Sequence, residues 1–113
     1  MRRQDTSYEG KAVNRVYIVN RGPHDYSAAK HYGELVFCTT GSLDKFDTSQ
    51  MYRELADSLY DSQAEDYILL TSLTSLCCVA CGIFASKHQR LNLLLHRGDS
   101  YLARSLHFHE LTT

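Results

Sequence analysis

Asp66-Tyr67-Ile68-Leu69-Leu70-Thr71-Ser72-Leu73-Thr74-Ser75-Leu76-Cys77-Cys78-Val79-Ala80-Cys81-Gly82-Ile83-Phe84-Ala85-Ser86-Lys87 is the stretch on which the fold turns. Tyr67 to Ser86 is twenty residues without a charge, and a bilayer is spanned by ~20 apolar residues in a row. Thr71, Ser72, Thr74 and Ser75 break the run, however, and divide YILL from LCCVACGIFA. A short buried strand, a polar loop and a buried helix fit that division, and a membrane span does not. The strand is apolar on both faces, as a central parallel strand should be. Thr71 to Ser75 supply caps for the helix, which runs to about Lys87. Its apolar residues lie all round, so burial on more than one side is expected, with a second subunit as a partner.

Upstream, Asp47-Thr48-Ser49-Gln50 has the spacing of a capping box. Met51, Leu55 and Leu59 recur behind it at helical spacing, and Arg53, Glu54, Asp57 and Ser58 occupy the other side. Further back, Arg15-Val16-Tyr17-Ile18-Val19 is a β-branched and aromatic run, hence a strand. It stops at the turn cluster Asn20-Arg21-Gly22-Pro23. A two-turn helix is predicted over residues 24–32, with Asp25 as N-cap and Gly33 closing it. Leu35-Val36-Phe37-Cys38 is a second strand, ending in Thr39-Thr40-Gly41. Downstream, Leu91, Leu93 and Leu95 alternate with Asn92, Leu94 and His96. Leu102, Leu106 and Phe108 alternate with Tyr101, Ala103, Ser105 and His107 beyond Arg97-Gly98-Asp99-Ser100, which predicts a β-hairpin.

The order β-α-β-α-β-α-β-β predicts an α/β fold of three layers. Its sheet is five-stranded and mostly parallel, with a C-terminal antiparallel β-hairpin. The expected strand order is 2-1-3-4-5, with right-handed crossovers placing helices on both faces. Residues 1–12 are polar and unpatterned and read as a flexible N-terminal arm, leaving 13–113 as a single α/β domain.

Composition narrows the function. Twelve Lys and Arg against thirteen Asp and Glu give a net charge of −1. A protein that grips phosphate backbones carries a basic excess or stripe, and here only Arg2 and Arg3 cluster, so generic nucleic-acid binding is not expected. Cys77, Cys78 and Cys81 sit in one apolar segment and read as buried small hydrophobes, with Cys38 apart from them. No apolar core of a signal peptide follows Met1. A cytoplasmic, reducing setting is expected.

In open α/β sheets, ligands bind beyond the carboxyl ends of the strands, where the strand order reverses. The first strand delivers Asn20, Arg21, Gly22, His24, Asp25, Tyr26 and Ser27 to that rim. The second delivers Thr39, Thr40 and Gly41, and the third Thr71, Ser72, Thr74 and Ser75. Hydroxyls, glycines, an arginine and helix starts suit a phosphate or carboxylate, with Arg21 as charge partner. The same residues also cap helices and make turns in proteins of every function. Neither G-x-G-x-x-G nor G-x-x-x-x-G-K-[ST] occurs.

His24 and Asp25 could act as an acid/base pair, but neighbours at a helix start rarely face each other, and capping is the ordinary use of Asp25. Cys78-x-x-Cys81 and His107-x-His109 have metal-like spacing, but no second cysteine pair completes a set, so no metal is expected. Arg97-Gly98-Asp99 is a turn. Tyr8, Tyr52, Tyr60 and Tyr101 are the tyrosines expected at the surface.

Val16-Tyr17-Ile18-Val19-Asn20, His24-Asp25-Tyr26-Ser27, Gly33-Glu34-Leu35-Val36-Phe37 and Asp66-Tyr67-Ile68-Leu69-Leu70 together resemble small uncharacterised α/β proteins of tailed bacteriophages. The resemblance implies a host-cytosol setting and an accessory role, and it carries over no catalytic residue. The leading expectation is a non-enzymatic, homo-oligomeric module that binds a small anionic ligand, such as a nucleotide, and uses no cofactor. The alternative is an interaction factor that inhibits a host enzyme through a surface patch. A small hydrolase or transferase built on His24 and Asp25 comes third.

Overall fold

β-branched and aromatic runs become the parallel strands β1 (Arg15–Ile18), β2 (Glu34–Phe37) and β3 (Tyr67–Leu69). The leucine-rich C-terminal run becomes β4 (Arg90–Arg97) and β5 (Ser100–His107). The computed structural model describes residues 14–40 and 43–108. The predicted arm, Tyr8, Gly41 and His109 lie outside the described residues.

The sheet order is β2-β1-β3-β4-β5. β1 pairs in parallel with β2 and β3, with Ile18 opposite Phe37 on one side and Leu69 on the other. β3 pairs in parallel with β4, and β4 with β5 antiparallel. Strand order therefore reverses at β1, between its neighbours β2 and β3. The hairpin turns through Gly98 and Asp99, with Gly98 at φ 62°. A positive φ at the first central position alone fits a type II′ turn, whose twist matches that of the strands.

Alternation along β1 sends Tyr17 and Val19 to one face and Val16 and Ile18 to the other. The first face is covered by α1 (Thr48–Ser58) and α2 (Thr74–His88). Met51, Leu55 and Leu59 meet Leu76, Ala80 and Phe84 there, over Tyr17 and Ile68. Each Leu, Met, Ile or Phe among them, fully withdrawn from water, contributes about 2 kcal/mol.

The second face carries less cover than the sequence predicts. Among the described residues, a 3-10 helix, Ser27–His31, is the helical cover there, through Ala29 and with Tyr26 ahead of it. The two-turn helix over 24–32 does not form. Asp25 accepts from the Ser27 N–H at 2.9 Å, which sets up a turn within the first residues. Gly33 adopts φ +156°, and a Cβ there would stand 2.5 Å from the Asn14 carbonyl oxygen. It is needed for close approach to β1 rather than as a left-handed cap. The layering still has helical cover on both faces, as right-handed crossovers on either side of β1 require.

Capping also differs in detail. The Asp47 carboxylate accepts from the Gln50 N–H at 3.0 Å, but the Gln50 amide turns outward to Glu54 at 2.9 Å, so half of the capping box forms. α2 starts at Leu73 with no side-chain cap. Thr71 to Ser75 therefore do not cap it. Ser75 donates instead to the Lys45 carbonyl oxygen at 3.1 Å. Cys78 is exposed, whereas Cys77 is buried, so only part of the cysteine group is core. Tyr52 and Tyr60 reach the surface as predicted, but Tyr101 is buried.

Buried polar groups tie the amino end of the sheet. Asp66, fully buried, accepts from the Arg15 and Gln63 N–H groups, both at 2.8 Å. Asn92 on β4 donates through Nδ2 to the carbonyls of Ala64 and Asp66 at 2.6 and 2.7 Å. Its Oδ1 accepts from Arg90 Nε and Ser105 Oγ, each at 2.8 Å. All four valences of that amide are used. The opposite end of the sheet is left to the loops.

Candidate functional site

Beyond the carboxyl ends of β1 and β3 lies a cavity of about 350 Å³. That is the small end of the roughly 300–1,000 Å³ typical of small-molecule sites, and its position is the one expected at a topological switch point. Three segments build it: the loop after β1, the loop after β3, and the turn end of the hairpin.

The loop after β1 leaves the ladder with a bend at Val19 and Asn20, then bridges briefly to Thr40 through Arg21. Asn20, Gly22, Pro23, His24, Asp25 and Tyr26 line the cavity. The Thr39 hydroxyl lies 2.9 Å from the Val19 carbonyl oxygen and 2.8 Å from Asn20 Oδ1, which fixes the Asn20 side chain at the floor. The Gly22 N–H donates to the Tyr26 hydroxyl at 3.0 Å. A Cβ at Gly22 would stand 3.3 Å from that same hydroxyl, so the loop closes tightly on itself. His24 meets the edge of Tyr26, with ring centroids 6.2 Å apart.

The loop after β3 contributes Leu69, Leu70, Thr71 and Ser72. Its backbone is held by Cys77. The thiol accepts from the Thr71 N–H at 3.3 Å and lies 3.4 Å from the Thr71 carbonyl oxygen, to which it donates. A buried cysteine of α2 thus sets the path of a cavity wall.

His96 at the end of β4 and Tyr101 at the start of β5 complete the lining. They face each other across the hairpin, with ring centroids 5.3 Å apart in an edge-on arrangement. Tyr32 donates to the Tyr101 carbonyl oxygen at 3.0 Å, which clamps the 3-10 segment onto β5. Burial, with Tyr26 and Asp25 nearby, pushes the Tyr101 phenol above its ordinary pKa, so it stays protonated and can both donate and accept.

Of the residues expected at the rim, Asn20, Gly22, His24, Asp25, Thr71 and Ser72 come together in this cavity. Arg21 and Ser27 do not. They line an open groove of about 420 Å³ on the other side of the Gly22–Tyr26 loop, with Lys30, Leu35 and Phe37. The Arg21 guanidinium lies 4.4 Å from the centroid of the Phe37 ring. Thr39, Thr40, Thr74 and Ser75 line neither depression, and Gly41 lies outside the described residues. His96 and Tyr101 are the additions that the sequence reading lacked. Strand order could have found them, because β4 runs parallel to β3 and must end at the same rim.

Asp25 serves its turn. Hydrogen bonds from the Ser27 backbone and hydroxyl lower its pKa, with a smaller contribution from the charge of Lys30. Among the described residues no hydrogen bond joins it to His24, and none joins a hydroxyl of the cavity to an imidazole. The Ser–His contact in the described chain is elsewhere, between Ser62 Oγ and His88 Nε2 at 2.9 Å, at the amino end of the sheet. No group of three or more His, Cys, Asp or Glu stands ready to hold a metal among the described residues. Burial pushes the Cys38 thiol up to about 12 and, with its neighbouring cysteines, Cys81 up to about 11, so both behave as core. No described helix is long and apolar enough to cross a membrane.

What the cavity offers is therefore hydrogen bonding and ring surface without a Lys or Arg among the described residues: an amide, two hydroxyls, two imidazoles, two phenols and the Asp25 carboxylate at its edge. Comparison with curated proteins and with solved structures gives no match. A protein-family model does match, over residues 14–107, and so takes in every segment that lines the cavity. On that coverage, the chain belongs to the family of phage Pam3 gp32-like proteins.

Proposed function

We propose that this phage protein is a non-enzymatic module that binds a small ligand in the strand-end cavity. The observation that carries the reading is convergence. Three segments distant in sequence meet at the switch point and enclose about 350 Å³ lined by hydrogen-bonding groups and aromatic edges. The lining favours a flat, hydrogen-bonding ring: His96 and Tyr101 present ring surface, while Asn20, Thr71 and Ser72 present polar atoms. A binding role is preferred to catalysis because Asp25 is committed to the Ser27 turn. In a phage setting, such a module would sequester a host metabolite.

A second reading has one specific support. Phe46 ahead of α1, Tyr52 within it and Tyr60 just after it are 82%, 57% and 52% exposed. Aromatic exposure of this kind suits a protein partner, including an inhibited host enzyme.

Native mass spectrometry of protein purified gently from its producing cells separates the two. The cavity reading predicts a small adduct that is lost on denaturation, and its mass names the ligand. Bare protein with a stoichiometric protein partner would contradict it and support the second reading.

A further inference from the structure

The cavity and the open groove beside it share Gly22, Pro23, His24, Asp25 and Tyr26, so a single loop forms the wall between them. Their chemistry differs sharply. Among the described residues no Lys or Arg lines the cavity, whereas Arg21 and Lys30 both line the groove. Neither cation has a carboxylate partner in contact among the described residues. Arg21 lies against Phe37, which supports the guanidinium by a cation–π contact and leaves its N–H edge free for a planar or tetrahedral anion. Asp25, which belongs to both depressions, places a carboxylate at the crossing point. A carboxylate there repels an anion placed directly on it but accepts from hydroxyl groups.

We propose that the ligand belongs to the nucleoside monophosphate class, with its base in the cavity, its sugar hydroxyls against Asp25 and its phosphate in the groove on Arg21 and Lys30. The assignment rests on the small-ligand reading above and deepens it. A ring joined to an anion through a neutral, hydroxyl-bearing linker matches the sequence of surfaces met from one depression to the other. A ring carrying phosphate directly would put its charge on Asp25.

Isothermal titration of the full chain with the common ribonucleosides and their 5′-monophosphates tests this. At least one monophosphate should bind about tenfold or more tightly than its parent nucleoside, as expected for added charge-assisted hydrogen bonds. The gap should shrink as salt rises, because the groove is open to solvent. The double variant Arg21→Ala/Lys30→Ala should lose the gap and keep its melting temperature, since both side chains are exposed. Equal binding of nucleoside and monophosphate, or a gap that survives the double variant, overturns the phosphate assignment and leaves the cavity reading standing. If none of these compounds binds, the nucleotide class is overturned. The adduct measurement then shows whether the cavity reading falls with it: an adduct of another mass keeps the cavity, and bare protein removes both.

Discussion

The Gly22 N–H donates to the Tyr26 hydroxyl at 3.0 Å, and this one bond closes the loop that stands between the cavity and the groove that holds Arg21 and Lys30. Tyr26 is also buried, with its ring edge-on to Phe37 at a centroid separation of 5.7 Å. Ring and hydroxyl thus have separate jobs, one in the core and one in the wall. Tyr26→Phe keeps the first and removes the second. The expected loss is about 1 kcal/mol in urea denaturation, the usual size for one such bond. Ligand affinity should fall as well, because the wall loses its clasp. An unchanged denaturation midpoint would contradict this role for the hydroxyl.

Asn92 carries a larger share of stability. It is 1% exposed, and its amide links β4 to β5 and to the segment before β3 through three hydrogen bonds, with a fourth from Arg90 within β4. Asn92→Ala leaves two carbonyls without their donor and opens a void, so a loss of about 3 kcal/mol or more is expected in the same assay. A loss below about 1 kcal/mol would mean that water replaces the amide at little cost.

His88 makes stability depend on pH. Its Nε2 contacts Ser62 and its ring packs on Phe84 at 4.4 Å between centroids. Burial, together with the charge of Lys87, lowers its pKa from 6.5, against a smaller opposing pull from Asp66 and Glu65. The unfolded chain then takes up the proton first as pH falls. The contribution of neutral His88 is full above about 6.5 and is lost as pH drops from there through the lower folded value. Denaturation midpoints should decline below that point, and His88→Gln should remove this part of the slope. An identical slope in the variant would contradict the assignment.

Gln89 ends α2 in the left-handed conformation, at φ 56°, where its Cβ is crowded. Gln89→Gly should raise stability by about 0.5–1 kcal/mol, since glycine takes this conformation without that clash. The backbone contacts made there, from the Gln89 N–H to the Ala85 carbonyl and from the Phe108 N–H to the Gln89 carbonyl, do not depend on the side chain. A destabilised variant would show that the side chain contributes more than the strain removes.

The sheet was legible because its signals are local. The polar break at Thr71 to Ser75 separated β3 from α2, and period two on both sides of Gly98 marked the hairpin. The site was legible only in part. Strand order placed Asn20, Gly22, His24, Thr71 and Ser72 at one rim, and the structure brings them together. The Arg21 side chain was not predictable, because the bend at Val19 and Asn20 interrupts the alternation that would assign it a face. Strand order ends β4 at the same rim and so reaches His96 and Tyr101, but not their contact. Alternation tells which face a residue takes, but their meeting across the hairpin depends on turn type and register. The 24–32 helix failed because the Asp25–Ser27 turn and the close approach at Gly33 leave room for a single 3-10 segment.

Binding in the cavity is tested most directly by plugging it from a surface position. Ser72 is exposed and lines the mouth, so Ser72→Trp should fill the space without disturbing the core. Native mass spectra of the wild-type and variant proteins, purified alike, should show an adduct on the first and none on the second, at equal melting temperatures. An adduct carried equally by both proteins, or none on the wild type, would contradict a ligand held in this cavity.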